Sequence, residues 1–199
     1  MPRVYLSLGS NIDRERHLRI ALRELEKRYG FLLTSTVYES EAVGFIGDPF
    51  YNMVVGIDTD LSVGALVAEL RAIEEAYGRD RASPKFSSRT LDIDILTYGN
   101  ACGEIDGVCL PRGDILKQAF VLRPLAELAG NDRHPETARP FAEHWAAYDQ
   151  RRQKLWPVDF PLHHDNLDAD NLKAENIKAE NIKNKADSSD IFPTSLDHK

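Results

Sequence analysis

Two aspartates near the middle of the chain have the residue type and spacing of a metal site. Asp92 and Asp94 lie two residues apart in the apolar run TLDIDIL. Alternate residues of a β-strand share a face, with Cα atoms about 6.5 Å apart, so both carboxylates are predicted on one side and Leu91, Ile93 and Ile95 on the other. Mg²⁺ suits such a pair because it takes one or two carboxylates and completes its shell with water and substrate phosphates. The alternative is the solvated face of an amphipathic strand, although acidic residues are depleted in strands.

The segment before this strand supplies positive charge. Residues 79–89 contain four cations and one acid, a local net charge of +3 in a chain whose formal net charge is −7. The four cations are Arg79, Arg81, Lys85 and Arg89. Arginine binds phosphate oxygens through paired hydrogen bonds, and phosphoryl transfer is accelerated mainly by positioning and charge neutralisation. A basic loop beside a carboxylate strand therefore indicates a kinase, with a solvated charged loop as the alternative.

Several familiar nucleotide and metal sites are absent from the sequence. There is no GxxxxGK[ST] phosphate loop, no glycine-rich loop of the protein-kinase type and no cysteine–histidine zinc spacing. The cluster Gly9, Ser10, Asn11 is predicted to be a turn and is too short to count as a phosphate loop. The acidic net charge argues against a surface built as a whole for nucleic acid. Phosphate chemistry must therefore depend on the local basic segment.

The elements that would position these residues alternate between strands and helices. Composition rich in β-branched and aromatic residues predicts strands at 4–8, 31–40, 50–59 and 90–98. Apolar residues at helical spacing predict one helix capped by Asp13 and ended by Gly30, and a second opened by Ser62 and ended by Gly78.

The resulting order is β-α-β-β-α-β, which is the ferredoxin-like pattern. A hairpin around 104–107 and a helical segment with Leu116, Phe120, Leu125 and Leu128 follow it. We therefore expect an α/β fold with a ferredoxin-like βαββαβ core, an additional hairpin and C-terminal helices.

One domain is expected over residues 1–162, followed by a low-complexity tail over 163–199. The tail contains the five-residue repeats DNLDA, DNLKA, ENIKA and ENIKN, and it carries five lysines against eight acidic residues. A period of five presents an apolar stripe on neither a helix nor a strand, so we expect the tail to be disordered. Its role is left open.

The chain is expected to be cytoplasmic and to have no membrane span. Its N-terminus lacks the apolar run of a secretory signal, and no stretch approaches about 18 consecutive apolar residues. Two cysteines, Cys102 and Cys109, are too few for a disulfide framework.

The motifs, taken together, resemble those of a known family. SSRTLDIDIL is similar to the signature of the 6-hydroxymethyl-7,8-dihydropterin pyrophosphokinases of folate biosynthesis. The resemblance covers about 150 residues and includes LSLGSN, VGF, FYNMVV, GRDR and AFVLRPLAELA in that family's order. It implies a ferredoxin-like α/β fold and transfer of pyrophosphate from ATP to a pterin alcohol, so the expected partners are these two small molecules. No nucleic acid or membrane partner is expected, and a monomer is expected, although the sequence does not determine the oligomeric state.

The resemblance also implies roles for individual residues. Asp92 and Asp94 would hold two Mg²⁺ ions, and Arg79 and Arg89 would assist the transfer. The implied nucleotide-binding residues are Arg81, Lys85, Phe86, Ile95 and Arg112. The implied pterin-binding residues are Ser40, Val43, Gly44, Phe50, Asn52 and Phe120, with the two phenylalanines stacking on the ring and the amide bonding its polar edge.

The chain departs from the family on the nucleotide side. Phe86, Ser87 and Ser88 replace the usual Trp-Gly-Pro, Arg112 replaces a histidine after proline, and Gln118 replaces a basic residue. These departures leave kinetic competence open, and a second hypothesis is a pterin- or nucleotide-binding paralogue with weakened catalysis. A third, an RNA-binding module of the RRM type, lacks support because the chain is acidic and has no paired aromatic motif.

Overall fold

A computed structural model describes residues 1–78 and 88–161 of the chain. The chain divides into two units, Met1–Phe160 and Pro161–Lys199. All the described helices and strands belong to the first unit, and the predicted tail lies outside the described residues. In the described part, no helix has the length and apolar character needed to cross a membrane.

Eight strands and four helices form the described part of the first unit. In chain order they are β1 (Arg3–Ser10), α1 (Arg14–Tyr29), β2 (Leu33–Thr34), β3 (Val37–Ser40), β4 (Phe50–Asp58), α2 (Val63–Ala76), β5 (Asp92–Tyr98), β6 (Gly103–Ile105), β7 (Val108–Leu110), α3 (Ala119–Leu128), α4 (Phe141–Ala147) and β8 (Leu155–Val158).

The main sheet has the strand order β5-β1-β4-β3-β8, with β2 also paired to β4. Every pairing that involves these strands is antiparallel. The first four strands of this order, joined through α1 and α2, form the predicted ferredoxin-like βαββαβ core, which is confirmed. The predicted hairpin is also present, as β6 and β7.

Alternation along the strands separates two hydrophobic clusters. On β1, Leu6 and Leu8 belong to the cluster that includes residues of α1 and α2. Tyr5 belongs to the other cluster, together with Leu122 of α3 and Phe141 of α4. The sheet therefore lies between two layers of helices, and the face that carries α3 also carries the polar residues of β5.

The predicted second strand is divided into β2 and β3 by a β-bulge. Thr34 pairs with Val55 and Tyr38 pairs with Asn52, so β2–β3 advances by one residue more than β4 does. Ser35 replaces the missing ladder contacts, because its N–H donates to the Val54 carbonyl and its hydroxyl accepts from the Val54 N–H. The bulge is stabilised by the hydrogen bonds of Ser35, which strand propensity alone does not predict.

Two local expectations were wrong, and one strand was not predicted. Asp13 precedes α1 but makes no side-chain cap, because its left-handed backbone (φ 43°) is not the extended conformation of a capping residue. Leu116 lies before α3 and not within it. Strand β8, which pairs with β3, was not predicted, since Pro157 is disfavoured inside strands and is tolerated at a sheet edge.

The predicted cap at Ser62 is confirmed, with its hydroxyl accepting from the Ala65 N–H.

Candidate active site

The register of the sheet aligns three residues across the neighbouring strands β5, β1 and β4. Gly9 of β1 pairs with Asp92 on one side and with Asn52 on the other. Neighbouring strands lie about 4.8 Å apart, so the Cα atoms of Asp92 and Asn52 stand about 10 Å apart with a glycine between them. A Cβ built on Gly9 would lie 3.5 Å from Asn52 Oδ1, which places that amide against the glycine.

A cavity of about 590 Å³ lies on this face of the sheet. It brings together most of the site residues named from the sequence that the structure describes. Those lining it are Ser40, Val43, Phe50, Asn52, Arg89, Asp92, Asp94, Arg112 and Phe120.

One end of the cavity is charged. Arg89 Nη1 lies 3.2 Å from Asp92 Oδ1, and Arg112 Nη2 lies 2.9 Å from Asp94 Oδ2. Asp92 and Asp94 follow each other on one face of β5, as the alternation predicts, and their side chains remain about one third exposed at 27% and 33%. Each carboxylate of the predicted metal pair is thus within ion-pair distance of an arginine.

The opposite end of the cavity is lined mainly by uncharged side chains, with Glu41 beside Ser40 as an acidic exception, and is called the neutral end below. Asn52 is buried, and its amide nitrogen donates to the Ser40 hydroxyl at 3.0 Å. Phe50 contacts Phe45 edge to face, with ring centroids 6.2 Å apart, and Phe45 also lines the cavity. Phe120 stands on α3, over the same face of the sheet. A flat heterocycle needs this combination of aromatic faces and a fixed amide.

Strand β3 is attached to α3 through Tyr38. The Tyr38 hydroxyl donates to Glu127 at 2.7 Å and accepts from Arg123 Nε at 3.1 Å. Burial raises the pKa of Tyr38, and the hydrogen bond to Glu127 raises it further. The phenol therefore stays protonated and keeps Ser40, two residues along the strand, in place.

A second cavity, of about 410 Å³, adjoins the charged end. Asp94, Arg112 and Asp114 line both cavities, and Ile95 lines the second one. Glu74 of α2 also lines it, is buried, and accepts a hydrogen bond from the Ile93 N–H at 2.8 Å. This bond joins α2 to the part of β5 between the two aspartates.

The turn after β1 holds two loops together. Asn11 is buried; its Oδ1 accepts from the Arg89 N–H at 2.6 Å, and the Arg89 carbonyl accepts from the Asn11 N–H at 3.1 Å. Its Nδ2 donates to the carbonyl of Asp48 at 3.2 Å and to the Ser88 hydroxyl at 3.3 Å. One side chain therefore contacts both the loop after β3 and the segment that carries Arg89.

The donors for a metal are two carboxylates. Within residues 1–78 and 88–161, no group of three or more histidine, cysteine, aspartate and glutamate side chains is arranged to hold an ion. Asp92 and Asp94 fit Mg²⁺, whose remaining positions are filled by water and phosphate oxygens when it binds with a nucleotide.

The sequence profile of the family described as 7,8-dihydro-6-hydroxymethylpterin-pyrophosphokinase (HPPK) matches residues 5–130. The chain belongs to this HPPK family. The family resemblance drawn from the sequence motifs is thereby confirmed.

Individual relatives agree with this assignment. The chain is 35% identical over 150 residues to the 2-amino-4-hydroxy-6-hydroxymethyldihydropteridine pyrophosphokinase of Haemophilus influenzae, covering 70% of this chain and 93% of that protein. It is 34% identical over 145 residues to the folic acid synthesis protein fol1 of Pneumocystis carinii, covering 71% of this chain. The chain spans 20% of the length of fol1.

Solved structures share the fold. The wild-type HPPK-DHPS of Plasmodium falciparum with pterin and p-hydroxybenzoate has a TM-score of 0.60 at 15% identity, and the match covers 75% of this chain and 43% of that one. At this identity the match supports the HPPK fold, and the residues of the site must be argued from this chain alone.

Some predicted HPPK residues cannot be placed. Arg79, Arg81, Lys85 and Phe86 lie outside the described residues. Gly44 has a φ of 85°, lies between cavity-lining Val43 and Phe45, and is not itself among the described residues that line the cavity. Its predicted contact with a pterin stays a prediction.

Sequence reasoning missed three residues of this HPPK site. Asn11 was predicted only as part of a turn. Glu74 lies in a helix that was predicted from its apolar residues alone, so its polar residues were not considered. Phe45 lies in a loop without periodicity. The run of Gly9, Ser10 and Asn11 at the end of a strand was the one available signal, because small polar residues there let neighbouring loops approach closely.

Proposed function

We propose that this chain transfers the diphosphoryl group of ATP to 6-hydroxymethyl-7,8-dihydropterin, giving AMP and the pterin diphosphate, as a step of folate biosynthesis. The observation that carries the proposal is the row of Asp92, Gly9 and Asn52 in one cavity. It puts a residue suited to metal and phosphate and a residue suited to a heterocycle on one face of the sheet, with Cα atoms about 10 Å apart, a separation that one pterin with a hydroxymethyl arm and one phosphate can span.

The neutral end binds the pterin. Phe50 and Phe120 offer aromatic faces to the ring, while Asn52, fixed by its bond to Ser40, reads the polar edge. Because these groups are held by the sheet and α3 before substrate arrives, little conformational entropy is lost on binding. The hydroxymethyl group is directed towards the charged end.

The charged end binds the triphosphate. Asp92 and Asp94 would hold two Mg²⁺ ions, which when bound neutralise the phosphate oxygens and orient the chain of phosphates. Arg89 and Arg112 donate to phosphate oxygens, and the adjoining cavity beside Ile95 receives the nucleoside. Arg79, Arg81, Lys85 and Phe86 are proposed to complete the nucleotide contacts.

The reaction needs alignment and charge neutralisation more than a dedicated base. The pterin hydroxyl oxygen forms a bond to the β-phosphorus, the bond from that phosphorus to the α–β bridging oxygen breaks, and AMP leaves with the bridging oxygen. The hydroxyl proton passes to solvent or to a phosphate oxygen. Arg89, held by Asn11 at the backbone, keeps its guanidinium near the transferred group.

AMP formation tests the proposal directly. The purified full chain, with Mg²⁺, ATP and 6-hydroxymethyl-7,8-dihydropterin, is expected to release one AMP per pterin diphosphate formed, as measured by chromatography. Omission of the pterin is the control and should stop AMP release. Binding of pterin and nucleotide without AMP would instead support the weakened paralogue, for which Arg112 and Gln118 are the motivating departures.

We also propose an oligomeric state and a cellular location for the chain. All the proposed site residues come from one chain, so we propose an active monomer, tested by light scattering of the active fraction. We propose a cytoplasmic location, which agrees with Cys102 and Cys109 being exposed and free. Fractionation of the source cells, followed by the AMP assay, checks this assignment.

A further inference from the structure

Arg112 is held beside one carboxylate of the predicted metal pair. Its Nη2 lies 2.9 Å from Asp94 Oδ2, and its Nε lies 3.2 Å from Asp114 Oδ2. Its backbone N–H donates at 2.8 Å to the carbonyl of Leu96, the next residue after Asp94 on the same face of β5. The main chain and a second carboxylate thus both position this guanidinium.

A divalent ion and this guanidinium compete for the same carboxylate. Both the guanidinium and the metal ion are cations, so they are alternative partners for the Asp94 carboxylate. The competition between the metal ion and the guanidinium for Asp94 therefore depends on the arginine at position 112.

A triphosphate changes the balance. Phosphate oxygens accept the same paired hydrogen bonds from arginine as a carboxylate does. Arg112 lines both cavities, so phosphates bound between them come within its reach. As the guanidinium turns to phosphate, Asp94 becomes available to the ion that arrives with the nucleotide.

We propose that Arg112 is an internal counter-ion of Asp94, which keeps the affinity for free divalent ions low and makes metal binding depend on nucleotide. The inference rests on the proposed function, because it takes Asp94 as a metal ligand. It goes beyond a nucleotide contact, since a residue that only bound phosphate would leave the affinity for the free ion unchanged.

Mn²⁺ binding to the full chain tests this role. The free ion is followed by electron paramagnetic resonance, without nucleotide and with α,β-methylene-ATP, whose α–β bridge cannot be cleaved. Arg112→Gln is expected to bind Mn²⁺ alone about tenfold more tightly than the wild type, or about 1.4 kcal/mol. The analogue should tighten Mn²⁺ binding much less in this variant than in the wild type.

Matched variants separate charge at this position from other effects. Arg112→Lys keeps the positive charge and is expected to resemble the wild type, while Arg112→Met is a second neutral variant in case Arg112→Gln does not fold. Arg151→Gln removes the same charge from an exposed pair with Asp149, 2.8 Å apart, and should bind Mn²⁺ as the wild type does. Circular dichroism verifies folding of each variant.

Two results would overturn the inference. One is a neutral variant that folds and binds free Mn²⁺ no more tightly than the wild type; the other is an equal gain in Arg151→Gln. AMP formation by the wild type, measured beside these titrations, keeps the proposals apart. If the wild type forms AMP but the neutral variants bind free Mn²⁺ as the wild type does, this inference alone is overturned. If the neutral variants bind free Mn²⁺ more tightly but the wild type forms no AMP, the proposed function alone is overturned.

Discussion

The two ends of the cavity are held by different forces. At the neutral end, Asn52 and Ser40 bond to each other within paired strands, and Tyr38 attaches β3 to α3. At the charged end, Arg89 and Arg112 pair with the two aspartates. The neutral contacts can stay as they are when a ligand binds, whereas the ion pairs must exchange partners.

The two ends therefore recognise ligands differently, one through shape and a fixed amide and the other through charge. A preorganised neutral pocket selects its ligand through fit and a fixed amide, because its polar groups are costly to leave unpaired. A charged site made of partly exposed pairs contributes little to the stability of the fold and exchanges readily with phosphate and metal. Variants of the two ends should therefore fail in different ways.

The largest expected effect is at the charged end. Asp94→Asn removes a predicted metal ligand, and kcat for AMP formation should fall by about 10³-fold or more, while the melting temperature stays close to that of the wild type. Asp149→Asn, at an exposed aspartate, is the control for loss of one negative charge. Near-normal turnover in Asp94→Asn would contradict the metal assignment.

At the neutral end, Asn52→Leu should reduce kcat/KM for the pterin by about 10²-fold, because a polar heterocycle loses its fixed partner. Binding of α,β-methylene-ATP should be unchanged, as calorimetry can establish. Ser40→Ala removes only the hydroxyl that orients the amide, so its loss should be smaller. Equal losses for pterin and nucleotide would show that the two ends do not act separately.

Salt concentration should change the KM values of the two substrates differently, with a smaller effect than either substitution. Raising KCl from about 0.05 M to about 0.5 M shortens the distance over which charges interact. The KM for ATP is expected to rise several-fold, and the KM for the pterin to change by less than about twofold. Steady-state kinetics at saturating co-substrate measure both, and a KM for the pterin that rises in parallel would count against the comparison.

The smallest effect concerns Tyr38, which supports the neutral end. Tyr38→Phe should cost about 1.5 kcal/mol in the free energy of unfolding, since the hydrogen bonds of its hydroxyl with Glu127 and Arg123, both partly exposed charged groups, are lost. The pKa of Tyr38 is raised by burial and by Glu127, so the unfolded chain releases this proton first. The stabilisation is present in full below about pH 10 and is lost as pH rises from there through the raised pKa of the folded chain.

Urea unfolding of both proteins at pH 8 and above pH 10 measures this difference. The wild type should lose more stability than Tyr38→Phe over that interval. The comparison between the two proteins isolates Tyr38 from the other tyrosines of the chain. An identical loss in both would remove Tyr38 from this role.

Features encoded locally could be predicted from the sequence. Helices α1 and α2 follow from the spacing of their apolar residues, and the alternation around Asp92 places it on the same face as Asp94. Both patterns depend on residues a few positions apart. For the same reason, the N-cap at Ser62 could be predicted.

Features that depend on distant partners could not be predicted. Strand β8 forms because β3 presents an open edge, which nothing in the residues of β8 indicates. The pair of Arg112 and Asp94 requires the hairpin β6–β7 to return the chain to β5. Asn11 meets Asp48 and Ser88 only after β1 has paired with β4 on one side and β5 on the other.

The position of Asn11 implies communication between the substrates. Its amide holds the loop that precedes β4 and, through the backbone of Arg89, the segment that leads into β5. A ligand that moved either loop would alter the bonds available to the other, and the two occupancies would then be energetically linked. Such linkage is reciprocal: to whatever extent nucleotide strengthens the binding of pterin, pterin strengthens the binding of nucleotide by the same factor.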